Sequence, residues 1–312
     1  MSFRFLVVLL QLAFAASTYA AGILSVTSQA GSPVVSIDPA TGTVQPLFNT
    51  NTSALAFGIS AFDPASRRLY FLSGAQQLVI ADLISSTVTT RSIAISGSYI
   101  FFEWDAANGR ILAVTSQAGS PVVSIDPATG TVQSLFNTNA GSLAFGYSAF
   151  DPASRRLYFL TGAQQLVIAD LNSSTVTTRS IAISGLYIFF EWDAASGRIL
   201  AVTSQAGSPV VSIAPATGTV QPLFNTNAGS LAFGYSAFDP LSRRLYFLTG
   251  AQQLVIADLN TSTATTRSIA IASLYIFFEL DAPAASIPTL GFLWLIVVAG
   301  AMAAIGYVRV AR

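Results

Sequence analysis

Apolar residues along most of this chain come in short blocks, each closed by a cluster of Gly, Pro, Asn, Asp or Ser. Blocks such as "RRLYFL", "QQLVIADL" and "PVVSI" are rich in aromatic and β-branched residues. Short runs of that kind between turn residues predict β-strands. Their faces are apolar on both sides, as suits sheets packed between neighbouring sheets. The stretch "DPATG" sets a turn: Asp126 can accept from the backbone ahead of it, Pro127 presets φ, and Gly130 tolerates positive φ.

The blocks recur. "VTSQAGSPVVSI" starts at Val26, Val114 and Val202, and "RRLYFL" at Arg67, Arg155 and Arg243, so the period is 88 residues in every step. Each unit divides into two related halves, both reading as four strands. The aspartates that open their turns, Asp63, Asp105, Asp151, Asp193, Asp239 and Asp281, are spaced alternately 42 and 46 residues apart. Four strands in about 40–45 residues is the size of a propeller blade. The first unit begins at Ile23 on a second strand, and the last copy ends at "LYIFFELDA", a first strand with no blade after it. Pairing residues 275–281 with 23–28 completes a sixth blade and removes the open edges. The expected fold is therefore an all-β, six-bladed β-propeller closed by strands from both ends, its innermost strands surrounding a channel. A seven-bladed ring would need a blade the sequence lacks, and an open β-solenoid gives no reason for complementary ends.

Two segments outside the repeat follow other rules. Residues 1–21 combine a basic Arg4, an apolar run over 5–15 and small residues at Ala20 and Ala21, the pattern of a secretory signal peptide. Residues 291–308 carry no charge, enough for a helix across a bilayer of about 30 Å. Arg309 and Arg312 follow as a basic flank, and Trp294 stands near the other edge. The expected organisation is a signal peptide (1–21), a propeller of three double-blade repeats (22–282), a linker with an "IPTL" motif (283–290) and a transmembrane helix with a basic tail (291–312).

"IPTL" at Ile287, Pro288, Thr289 and Leu290, with the Trp, the apolar span and the terminal arginines, resembles the IPTL-CTERM sorting signal, a relative of the PEP-CTERM tail of Gram-negative bacteria. The resemblance covers the last 26 residues (287–312) and implies recognition by an exosortase-like membrane protease and placement at the cell surface. The following "GFLW" departs from the more usual short polar step. The blades, through "RRLYFLTGAQQLVIADLNSSTVTT", resemble the broad YVTN/NHL-like group of bacterial propeller repeats. That group consists mostly of binding and scaffold modules, with some enzymes, and a shared fold does not fix function.

Composition narrows the chemistry. The chain has no His and no Cys, which removes Ser-His-Asp and Cys-His nucleophile systems, disulfides and the usual zinc ligand sets. Setting aside Arg4, Arg309 and Arg312 leaves 11 of the 14 basic residues against 14 acids, a net charge of −3 between the two end segments. With no basic stripe, nucleic acid is not an expected partner. No cofactor motif is present.

Three glutamates, Glu103, Glu191 and Glu279, recur inside "IFFE" on the innermost strand type. Three carboxylates around an axis suit a hard cation such as Ca²⁺. The competing reading pairs each with one of Arg67/Arg68, Arg155/Arg156 or Arg243/Arg244, since a buried carboxylate needs a partner. A second candidate is an amide-rich rim. Gln117, Gln164, Gln205 and Gln252 fall in turns between second and third strands, on the face of the blade connections that carry Asn137 and Asn225. Amides both donate and accept, as a glycan or peptide ligand requires. Asp126 has Ala214 at its equivalent place, which suits a turn role. The expected function is an exported, surface-anchored or surface-sorted binding or scaffold module, a glycan or exopolysaccharide being the ligand class that such a rim suits. The alternative is a carboxylate-dependent hydrolase or lyase, Ca²⁺-assisted or not, in the channel. Catalysis needs distinct residues in distinct roles, and the copies differ at bland positions such as Ser134/Pro222 and Ala153/Leu241.

Overall fold

A computed structural model of the chain describes residues 22–281, except 53, 54, 75, 94, 96, 182–184, 270–273 and the side chain of Phe233. These residues form six four-stranded sheets, each antiparallel throughout. Five are continuous in sequence: residues 55–92, 99–137, 143–180, 187–225 and 231–268, here the second to sixth blades. The first blade takes three strands, Gly22–Val26, Pro33–Ile37 and Val44–Asn49, from the start and Glu279–Asp281 from the end. Its closing register sets Gly22 opposite Asp281 and Leu24 opposite Glu279, with an isolated bridge between Thr27 and Tyr275. The ring is thus a six-bladed β-propeller closed by strands from both ends.

Alternation along each strand puts apolar side chains on both faces, so every blade packs against two neighbours, and six buried clusters result, one per boundary. The boundaries are of two alternating kinds. Between the second and third blades Tyr70 stacks on Trp104 with ring centroids 5.1 Å apart, and Tyr158 stacks on Trp192 identically between the fourth and fifth. The sixth–first boundary carries Leu280 where those two carry Trp. The other three boundaries pack Phe on Phe, as in Phe71–Phe277, Phe101–Phe159 and Phe189–Phe247, and are crossed by polar links.

The innermost strands are also of two kinds. Leu55–Asp63, Leu143–Asp151 and Leu231–Asp239 each contain a register shift; Leu143 pairs with Thr161, and pairing resumes only at Ser148 with Phe159. The extra residues bow toward the axis and bring Gly58, Gly146 and Gly234 together. A Cβ on Gly58 would lie 3.6 Å from the Gly234 carbonyl oxygen and 3.9 Å from the Gly146 Cα. Glycine is favoured there by φ values of 68°, 74° and 75°, while a Cβ would meet the facing backbones at ordinary contact distance. The expectation of an open channel is corrected at this point: three of the six strands meet and close the axis.

The signal peptide, the IPTL motif and the C-terminal span fall outside the described residues. Among the described residues no helix is long and apolar enough to cross a membrane.

Candidate functional site

Closure of the axis turns the channel into a blind funnel of about 530 Å³. Its floor is the Gly58, Gly146 and Gly234 contact, and its mouth carries Pro64, Pro152 and Pro240, which begin the turns after the bowed strands. Glu103, Glu191 and Glu279 line the wall, with Ser148, Ser236 and Ser60 beside them. Each serine belongs to the next blade. Ser60 Oγ donates to Glu279 Oε1 at 2.6 Å and Ser236 Oγ to Glu191 Oε1 at 2.7 Å, and Ser148 bonds Glu103 in the same way.

The arginines go elsewhere, so the expected glutamate–arginine pairs are corrected. Arg67, Arg155 and Arg243 reach Asp281, Asp105 and Asp193 across the same three boundaries. Arg68, Arg156 and Arg244 bind Asp82, Asp170 and Asp258 within their own blades. Period-two alternation gives the reason. Glu279 and Asp281 point to the same side of one strand, and the Asp, at the strand end, lies beside the turn that carries Arg67. The Arg backbone there is left-handed, with φ of 57° or 58°.

With no basic side chain in the funnel lining, the three glutamate carboxyls are raised above their ordinary value. Burial pushes Glu103 up to about 7 against the opposing serine bond. Burial takes Glu279 to about 7, less the help of Ser60 and plus the nearby Glu103 charge. Glu191 reaches about 8, through burial and the charges of Glu103 and Glu279, with Ser236 opposing. Asp105 and Asp193 behave oppositely, both held below the ordinary carboxylate value. Burial raises Asp105, yet bonds from Arg155, Asn108 and Arg110 outweigh it and hold the carboxyl at about 2. Among the described residues no three acidic side chains are arranged to hold a metal ion. Glu103, Glu191 and Glu279 stand on alternate blades, each with one oxygen bonded to its serine.

The amide-rich rim lies on the opposite face, since second-to-third strand turns and blade connections share one face and the Asp-led turns the other. Asn137 and Asn225 are exposed there, while Gln117, Gln164, Gln205 and Gln252 are half-buried. Local packing fixes several of them. Asn137 and Asn225 lie against Gly119 and Gly207, where a Cβ would fall 3.0 Å from either Asn Cγ. Gln117 and Gln205 pack on the connections at Gly97 and Gly185, and Gln164 and Gln252 adopt left-handed φ of 57°. The first-repeat counterpart, Gln76, donates its side-chain amide to the Gly97 carbonyl at 2.9 Å. Near the centre of this face Phe57 and Phe145 are 52% and 57% exposed.

Sequence reasoning missed an outer cleft between the second and third blades, about 530 Å³, with Trp104 and Tyr70 beside Arg68, Asp82, Arg91 and Asp126. Its fourth–fifth counterpart, bordered by Pro215 and Ala216, holds about 230 Å³. In the larger cleft Arg68 pairs with Asp82, while the buried Trp104 Nε1 has no hydrogen-bond partner. Arg91 donates to the Ala128 carbonyl, and Asp126 caps its own turn through Ala128 and Thr129.

No family model matches the sequence, and no curated protein is similar to it. Solved structures share its fold. A chain in the crystal structure of a nidogen–laminin complex superposes with a TM-score of 0.67 at 14% identity, covering 84% of this chain and 99% of that one. TolB from Acinetobacter baumannii gives 0.64 at 14% identity, covering 84% of this chain and 67% of its own. A protein of unknown function from Bacteroides thetaiotaomicron gives 0.58 at 13%, covering 82% and 67%. At such identities the likeness is one of fold: this chain, like them, is a β-propeller, here of six blades.

Proposed function

We propose that the protein is a non-catalytic binding module, exported through residues 1–21 and held at the cell surface by residues 291–308. The observation that carries the binding reading is the repetition of its polar groups. The funnel offers three copies of one Glu–Ser pair, and the rim copies of one Gln and Asn arrangement. A hydrolase needs an acid, a base or nucleophile and a transition-state donor in unlike positions. Neither surface supplies that asymmetry.

The amide-rich face is the ligand surface in this reading, and a glycan or exopolysaccharide is the ligand class. Its support is polar and geometric. The face is rich in neutral donors and acceptors, and Gly22 and Asp281, opposite one another in the closing register, leave the ring on the funnel face. An anchor following residue 281 leaves the amide-rich face turned away from the membrane. The resemblance of residues 287–312 to the IPTL-CTERM signal adds processing by an exosortase-like protease.

Two measurements test this. The first is fractionation of cells expressing the full chain and a chain ended at Ser286: the full chain stays with membranes and the shorter one is released. Equal solubility of both removes the anchor. The second is a glycan and exopolysaccharide screen of the full chain beside Gln164→Ala and Gln252→Ala. Binding that those substitutions leave intact moves the ligand off this face.

A further inference from the structure

We infer that the amide-rich face takes an uncharged glycan, and that Phe57 and Phe145 at its centre are the platforms on which the apolar faces of sugar rings stack. The inference rests on the binding reading above and narrows it to neutral sugars and to named side chains.

The face is electrically neutral throughout. None of its second-to-third strand turns and blade connections contains an Asp, a Glu or an Arg, and the chain has no Lys and no His. The charged residues between 22 and 281 lie on strands or on the turns of the funnel face. Arg91 and Arg179, near the ends of the outermost strands Thr87–Ser92 and Thr175–Ser180, fold toward that other face. They donate to the carbonyls of Ala128 and Ala216, in third-to-fourth strand turns, at 3.1 and 3.2 Å. Arg267 is placed alike: its Cβ would lie 3.5 Å from a Cβ on Gly42, in the equivalent turn. An acidic polymer laid on the amide-rich face therefore meets no cation, and a basic one no anion. Covering either charge there costs desolvation with nothing to offset it.

The bow that seals the axis also builds the platforms. Leu55 pairs with Ser73 and pairing resumes only at Ser60 with Phe71, so Phe57 stands on the lifted segment, as Phe145 does between Leu143 and Ser148. Their neighbours Gly58 and Gly146 meet at the axis, which sets the two exposed rings around one centre. The sequence repeats the residue at Phe233. The exposed apolar residues of the funnel face differ in this respect. Ile84 has Asn172 and Asn260 as counterparts, and Leu241 has Ala65 and Ala153, so each occurs in one repeat alone. Outside the rings, Asn51, Asn139 and Asn227 are exposed on the blade connections. A pyranose has apolar C–H faces and a rim of hydroxyls. Aromatic surface meets the first, and amides donate to and accept from the second.

The test uses the full chain in a polyoxyethylene detergent, which carries no sugar, on immobilised dextran and amylose (neutral) and alginate and hyaluronate (acidic). Retention on a neutral polymer is expected, with affinity changing less than about twofold between about 0.05 and 0.5 M salt. The double variant Phe57→Ala, Phe145→Ala is expected to bind roughly tenfold more weakly while keeping the parent's melting temperature, since both rings are exposed. Should it not fold, Phe145→Ala alone serves, with a smaller loss. Leu241→Ala, which removes exposed apolar surface from the funnel mouth, leaves binding unchanged. Preferred retention on alginate or hyaluronate, or equal binding by the double variant and the parent, overturns this inference and leaves the glycan reading standing. Retention on none of the four polymers overturns both, and the exposed rings then belong to a protein partner.

Discussion

Arg155 grips Asp105 with both ends of its guanidinium, at 2.8 and 2.7 Å, across the boundary between the third and fourth blades. The Asp side chain is 1% exposed. Removing one partner of such a pair leaves a buried charge. Arg155→Ala is expected to cost about 3 kcal/mol, the lower end for a buried pair because Arg110 and Asn108 still bind Asp105. The folded carboxyl, at about 2, lies below its ordinary 3.8, so its contribution is whole above about pH 4 and lost as pH falls toward 2. Melts between pH 5 and 2 should show a shallower acid slope for Arg155→Ala than for the parent.

The glycine seal makes a steric prediction. Gly146 has φ of 74°, and its Cβ position lies 3.6 Å from the Gly234 Cα and 3.7 Å from the Gly58 carbonyl. Gly109, with φ of 59°, has nothing within 4 Å. Gly109→Ala is expected to cost the backbone term alone, about 1–2 kcal/mol. Gly146→Val adds a collision across the axis and should cost clearly more. Denaturant midpoints compare the two directly; equal losses would mean that the three strands tolerate separation.

Leu280 stands at the boundary where Trp104 and Trp192 have their Tyr partners. Leu280→Trp is expected to complete a stack on Tyr246 and raise stability by about 0.5–1.5 kcal/mol. A lower melting temperature would indicate that this boundary has closed around the smaller side chain.

Ring closure depends on the last described strand. Tyr275, Phe277 and Phe278 are 1%, 1% and 4% exposed, and the Ile276 amide donates to the Val26 carbonyl at 2.9 Å. A chain ended before Leu274 loses those side chains and opens the Gly22–Val26 edge. Aromatic truncations in a core cost about 3–5 kcal/mol each, so aggregation or unfolding is expected. A truncated chain that melts with the parent would disprove the closure.

Much of this architecture was legible because a repeat states its own boundaries. The three-stranded blade that begins at Ile23 and the spare strand at Tyr275 had no partner but each other. The partners of the glutamates were not legible. Spacing placed acids and arginines within reach, but the choice between Glu279 and Asp281 for Arg67 depends on depth along one strand, which a residue list does not carry. The seal was hidden for a related reason. "LAFG" reads as ordinary strand, and only the recurrence of Gly58, Gly146 and Gly234 in mid-strand signalled a close backbone approach. The rim amides were found by type, while the packing of Asn137 on Gly119 belongs to the folded chain.

The meeting of those three glycines also counts. It is a contact of three bodies, each brought by one 88-residue unit, and it is satisfied only when three units surround a common point. The threefold count of the repeat is therefore matched at the axis, where each 88-residue unit contributes one glycine.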